Sequence, residues 1–209
     1  MELMNFSKEE PDLKSVLVCN QKGGVGKSLI ADELAFAMER CGTPCNFYDL
    51  DNQGGTIHTT HEVDGAVVQI VDTPGALQRD IMQWMDDADI IVIPFRPTSR
   101  DIPPLVRMME IADAHAKGKP VLYVQNAWNR YRASQDFHAW FKDFMKDRPD
   151  TPLIVVPQSE QFVQATAADK SVVDHAPRST AATSIKQVSN WVRSMLGLRT
   201  EPVMPVEGV

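Results

Sequence analysis

The residues best equipped for chemistry lie together in Asn20-Gln21-Lys22-Gly23-Gly24-Val25-Gly26-Lys27-Ser28. Gly23, Gly24 and Gly26 let the backbone curl until successive N–H groups point inward, a concave donor surface for phosphate oxygens. Lys27 can then reach the β- and γ-phosphates of a nucleoside triphosphate, and the Ser28 hydroxyl can sit on Mg²⁺. The first glycine of the strict eight-residue phosphate-loop pattern would fall at Asn20 or Gln21, so that pattern is met in part. A chance glycine turn is the competing reading, and the flanking elements decide between the two.

A phosphate loop needs a strand that delivers it and a helix that opens from it. Ser15-Val16-Leu17-Val18-Cys19 supplies a strand over about 15–20. Leu29, Ile30, Leu34, Ala35, Phe36 and Met38 fit a largely buried helix from Lys27 to Arg40, ended by Gly42 and Pro44. The positive end of that helix strengthens the anion site. Both flanks are right. Triphosphate binding is therefore expected.

Two acidic boxes follow. A strand over 44–50 runs into Asp49-Leu50-Asp51-Asn52-Gln53-Gly54. Carboxylates just past the carboxyl end of a strand in a parallel sheet stand where ligands bind. A plain turn rich in Asp, Asn and Gly would read the same way. The nearly continuous apolar run over 66–71 signals a strand buried on both faces, and it ends in Asp72-Thr73-Pro74-Gly75. Asp72 is thereby placed to hold Mg²⁺ through water, with Thr73-Pro74-Gly75 as a γ-phosphate-sensing switch.

Further strands are expected at 89–95, 120–126 and 151–157, with helices at about 103–117, 134–147 and 179–197. Strands alternating with helices predict an α/β fold, a single doubly wound, mostly parallel sheet with helices on both faces. The expected division is a flexible lead-in over 1–14, one domain over 15–198 and a flexible tail over 199–209. Phe137, Trp140, Phe141 and Phe144 form a core-facing stripe on one helix. Residues 55–65 read as a short extended strand and tight turn. There His58, His61 and Glu62 make a solvated polar strand in preference to a metal cluster.

Lys22-Gly23-Gly24-Val25-Gly26-Lys27-Ser28 resembles the deviant Walker A box of the ParA/MinD family of dimerising P-loop ATPases. The resemblance implies that Lys22 reaches across a nucleotide-sandwich dimer to the partner's phosphates. It implies an ATP-binding set of Gly23, Gly24, Val25, Gly26, Lys27, Ser28 and Leu29, with Lys22, Lys27 and Asp51 as catalytic residues. Residues 49–54 resemble the family's second box. Asp51 is then the carboxylate that positions or activates the attacking water, and Asp49 supports the magnesium shell beside Ser28 and Asp72. Asn52 replaces the family's usual proline, and 55–65 is short for this part of the family. By the same resemblance Asn126 faces the adenine, a strand-end turn asparagine being the other reading, and Pro157 borders the adenine pocket.

With no DNA-reading domain before the loop, the chain resembles the short ParF-like plasmid partition ATPases. That implies an ATP-dependent homodimer, DNA binding without sequence preference, and a centromere-binding adaptor that stimulates slow hydrolysis. The candidate DNA-contacting cations are Arg130, Arg132, Lys170, Arg178, Lys186 and Arg193. The net charge of −7 excludes a uniformly basic surface but not a local patch. In Asn129-Arg130-Tyr131-Arg132 a solvated loop is preferred to a docking site. No apolar run approaches the roughly 20 residues of a membrane span, and the acidic first ten residues lack a signal-peptide core. A cytoplasmic location is expected, nucleoid-associated when ATP is bound, without membrane attachment. Another cargo-positioning or regulatory ATPase of the superfamily would share every motif. A metabolic P-loop ligase, or an iron–sulfur carrier using Cys41 and Cys45, are the remoter readings; reduced thiols are the default.

Overall fold

A computed structural model describes residues 13–51, 55–75 and 78–203, the side chains of Gln78 and Arg79 excepted. Asn52, Gln53 and Gly54 of the second acidic box, residues 1–12 of the expected lead-in and 204–209 of the expected tail lie outside the described residues.

Six strands form one sheet among the described residues: β1 (Lys14–Val18), β2 (Cys45–Asp49), β3 (Val68–Asp72), β4 (Ile90–Phe95), β5 (Val121–Trp128) and β6 (Leu153–Pro157). Their order is β2-β3-β1-β4-β5-β6, and every ladder is parallel. The chain winds outward from β1 in both directions, so the loop after β1 stands where the winding reverses, the place where open α/β sheets bind ligands. The period-2 alternation of each strand sends its apolar residues to two cores. Val16, Val18, Ile70, Val92 and Val124 meet α1 (Lys27–Arg40) and α7 (Thr180–Met195). Leu17, Ile91, Ile93, Phe95 and Tyr123 meet α2 (Gln78–Asp87), α3 (Ile102–His115) and α4 (Arg132–Phe144). Each fully buried aliphatic or aromatic side chain contributes roughly 1.5–3 kcal/mol.

The expected sheet and its helices are present, with three differences. Helix α2 is an addition, although Ile81, Trp84, Met85 and Ala88 repeat at helical spacing. The 55–65 segment makes no strand; one antiparallel bridge joins Phe47 to His61. His58 is not solvated: its ring lies between Phe36 and Phe47 with Asp32 at 2.7 Å. Between α4 and the end of the chain, α5 (Glu160–Ala167) and α6 (Val172–His175) lead into α7. Buried Glu33 of α1 accepts from the Val172 N–H and the Ser171 hydroxyl, which anchors α6. Residues 199–203, the start of the expected tail, turn back along α7. Arg40 pairs with Glu201 at 2.8 Å, and Asn190 exchanges hydrogen bonds with the Glu201 backbone.

Candidate functional site

The loop between β1 and α1 is braced on both sides. Buried Asn20 donates to the Pro94 carbonyl at 2.8 Å and accepts from the Lys22 N–H at 2.9 Å. It thereby ties the loop to β4. On the other side the Asn126 amide donates to the Val25 carbonyl at 2.9 Å, and its oxygen accepts from the Ala127 N–H. Among the described residues, nothing lies within 4 Å of where side chains at Gly23 and Gly24 would begin. Gly26 caps α1 in the left-handed region (φ 98°) without a side-chain cap, which leaves N–H groups of the first turn to an incoming anion. Gly75 closes the cradle from the third box: a Cβ there would stand 3.0 Å from the Gly23 backbone.

Gly26 makes a sharp prediction. A Cβ on it would lie 2.0 Å from the Asn126 amide nitrogen, and the positive φ disfavours any side chain. Gly26→Ala should cost roughly 2–4 kcal/mol of unfolding free energy, the sum of backbone strain and the broken Asn126–Val25 bond. Urea denaturation measures it. In an Asn126→Ala background the same change should cost only the strain.

The carboxylates gather at the strand ends. Asp49 and Asp72 are register partners at the ends of β2 and β3, and Val18 partners Asp72 from β1, so all three termini are level. Asp72 is fully buried, and among the described residues neither of its oxygens has a hydrogen-bond partner. Burial pushes its carboxyl up to about 6; the nearby Ser28 hydroxyl and Lys27 draw it down, while Asp49 and Asp51 push it further. Lys27 is buried, with its amine 3.5 Å from the Lys22 carbonyl. Burial lowers its pKa, and the charges of Asp72 and Asp51 oppose that shift. Two orphaned oxygens at the foot of a glycine cradle, beside a hydroxyl and an ammonium, fit a divalent cation held with a triphosphate. Asp49 also shapes the segment that carries Asp51, because its carboxylate accepts from the Asp51 N–H at 2.9 Å and the Thr56 hydroxyl at 2.7 Å.

Lys22 differs from Lys27. Its side chain is 43% exposed and reaches Asp101, 7% exposed, at 3.7 Å. Asp101 also accepts from Thr98 at 2.8 Å, in the polar loop after β4. Sequence reasoning gives no role to Asp101 or Asn20, although both stand in polar stretches just past a strand.

The remaining candidates sort by burial. The amide of Asn126 is committed to the phosphate loop, a bracing position in place of the expected one facing the base. Leu29 packs in the first turn of α1. Pro157 ends β6 opposite Trp128. Beyond it opens a cleft of about 590 Å³ lined by Asn129, Arg130, Tyr131, Gln158, Ser159 and Val163. Arg130, Arg132, Lys170 and Arg178 are exposed. Lys186 donates to the Pro202 carbonyl. Arg193 is excluded as a DNA contact: it is 2% exposed and donates to the Arg199 carbonyl and Thr43. The thiols of Cys41 and Cys45 are free, and burial pushes Cys45 up to about 12. Among the described residues no helix is long and apolar enough to cross a membrane.

A central parallel strand delivering a glycine cradle to a helix, with level carboxylates on the neighbouring strand ends, defines a P-loop nucleotide-binding domain. The chain belongs to the CobQ/CobB/MinD/ParA nucleotide binding domain family, whose model matches residues 16–172. A protein named ParA from Rhizobium radiobacter is 32% identical over a stretch covering 41% of this chain and 50% of that protein. The chain thus spans about half the length of that curated relative. An ATP complex of Cyanothece McdA shares the fold with a TM-score of 0.73, covering 91% of this chain and 99% of that one at 14% identity. MinD of Pyrococcus horikoshii complexed with Mg-ADP does so at 0.63, covering 88% and 98% at 17% identity.

Proposed function

We propose that this chain is a ParA-type partition ATPase that dimerises on ATP, binds DNA without sequence preference and drives plasmid or chromosome segregation with a centromere-binding adaptor. One observation carries the reading: the phosphate loop holds two lysines in opposite environments, Lys27 buried among carboxylates and Lys22 half exposed beside it. Lys27 suits the chain's own nucleotide. Lys22 is available to a second molecule. Family membership, the ParA relative and the nucleotide complexes of McdA and MinD support ATP as the substrate.

The N–H groups of the loop and the positive end of α1 hold the phosphates, and Lys27 neutralises the β- and γ-oxygens. Ser28 and, through water, Asp72 would hold Mg²⁺, with Asp49 as support; a cation there would supply neutralisation of the phosphate charge. Asp51 orients the attacking water and takes up its proton as one oxygen–phosphorus bond forms and the bond to the bridging oxygen breaks. Lys22 lies at the partner's β–γ bridge and stabilises the charge developing on it. Pairing brings together the exposed cations Arg130, Arg132, Lys170 and Arg178 of two acidic monomers. In this reading the protein works in the cytoplasm, on the nucleoid in its ATP state, and turns over slowly until the adaptor binds.

The test is to size the native chain with ATP, ADP and no nucleotide, and to measure DNA binding under each condition. A dimer is expected with ATP alone. DNA binding should also require ATP and should weaken steeply between about 50 and 200 mM salt. Equal DNA binding with ADP, or none with ATP, removes the partition reading, and a monomer under all three conditions removes the dimer.

A further inference from the structure

Asp32 stands in the second turn of α1, on the core side, only 4% exposed. A carboxylate buried that far requires compensation. It comes from outside the helix: Asp32 accepts from the N–H of Ile57 at 2.8 Å, the N–H of His58 at 3.0 Å and the Nδ1 of His58 at 2.7 Å. Ser28 lies four residues earlier on the same face. A Cβ at Gly55 would touch the Ser28 hydroxyl at 3.5 Å. Residues 55–58 therefore run down the face of α1 from the Ser28 hydroxyl to the Asp32 carboxylate. Between those two contacts, Thr56 donates to Asp49, which also holds the Asp51 N–H. Two sets of hydrogen bonds, linked through the backbone from Thr56 to Ile57, thus join the phosphate-loop helix to Asp51 within the described residues.

We propose that Asp32 and His58 form a clasp that sets the position of Asp51 relative to the phosphate loop, making both of them positioning residues for hydrolysis. The consequence for turnover rests on the proposed role of Asp51 in orienting the attacking water.

The ring of His58 is fixed on every side. Its Nε2 faces Glu39 of α1 at 3.5 Å, and Phe36 meets it edge-on with ring centres 4.4 Å apart. Phe47 of β2 lies at 5.3 Å and His61 at 6.4 Å. Asp32, Glu39 and His61 are thus the titratable groups facing it. Burial opposes a charge on the ring, but the hydrogen bond and charge of Asp32, reinforced by Glu39, outweigh burial and raise its pKa above the ordinary 6.5. A raised histidine pKa means that the charged clasp is fully present below about 6.5 and loosens as pH rises through the folded value. The neutral ring still donates from Nδ1 to Asp32, so the loosening is graded.

The experiment compares the native full chain with His58→Gln and Asp32→Asn by amide and histidine NMR, and then by ATP hydrolysis across pH. In both variants the amide signals of Asp51 and Thr56 should shift, and in Asp32→Asn the His58 titration should move to lower pH. Turnover should fall roughly ten- to a hundredfold with KM within about twofold, as misplacement of a reacting group predicts. The native dependence of kcat on pH near the His58 titration should also flatten. Folded variants whose Asp51 signal stays in place overturn the clasp, whatever their activity. A native chain that hydrolyses no ATP overturns the role given to Asp51 instead, and the NMR comparison still decides the clasp.

Discussion

Lys22→Ala should leave ATP bound within about threefold of the native affinity while the ATP-specific dimer disappears and turnover falls roughly a thousandfold or more, the scale of a charge supplied in trans to a phosphoryl transfer. The fold gives this variant little to lose. The Lys22–Asp101 pair is long, and its lysine is half exposed; such pairs contribute about 0–1 kcal/mol. Asp101 keeps the Thr98 hydroxyl as a partner, so the melting temperature should stay close to native. The amide of Lys22, which braces the loop through Asn20, is untouched by the substitution. Light scattering with ATP and single-turnover hydrolysis are the measurements. A variant that still dimerises with ATP and hydrolyses it like the native chain removes the cross-subunit lysine, and with it the distinction drawn between the two loop lysines. Lys27→Ala makes the contrast: it should lose nucleotide binding itself, because Lys27 faces the carboxylates of its own site.

What the linear sequence reveals depends on how far away each residue's partner lies. Helix α1 runs from Lys27 to Arg40 as its pattern predicts, since its apolar spacing, the glycine before it and the glycine after it are all local signals. The parallel sheet with helices on both faces follows from the alternation of strands and helices, whereas the order of the strands is set by tertiary packing. Helix α2 is hard to see in the sequence because its buried stripe is narrow and set among polar residues, so only packing against α3 and β1 makes it secure. His58 reads as a polar surface residue because the carboxylate that draws it inward is 26 positions earlier, on another element. Arg193 reads as a free cation for the same reason: Thr43 is 150 positions earlier, and the Arg199 carbonyl meets it only once the chain beyond α7 has turned back. Lys22 announces itself by spacing, whereas its resting partner Asp101 can be paired with it only in three dimensions. Tertiary compensation of buried charge leaves no periodic trace in a sequence.

Asp72→Asn should separate stability from function more clearly than any other change in the site. The native carboxylate is fully buried with no hydrogen-bond partner among the described residues, and burial pushes its carboxyl up to about 6 from 3.8. An acid whose folded pKa is raised binds more protons folded than unfolded, so stability falls as pH rises through that interval and stays low above it. The displacement corresponds to roughly 3 kcal/mol at neutral pH, where the folded chain carries a charge that its interior does not solvate. The amide removes that charge at nearly constant shape. Without nucleotide, the variant should therefore unfold at higher denaturant, by roughly 2–3 kcal/mol at pH 7, and the advantage should vanish near pH 4. With ATP and Mg²⁺ the order should reverse: binding stabilises the native chain through mass action, whereas the variant loses the group proposed to hold the cation. Turnover should drop at least a hundredfold. Urea titrations at pH 4 and 7, each with and without Mg-ATP, read the stabilities, and a steady-state assay reads the turnover. If the variant is less stable than native at pH 7 without ligand, the buried charge is being compensated, and Asp72 is not the unsatisfied carboxylate awaiting a cation.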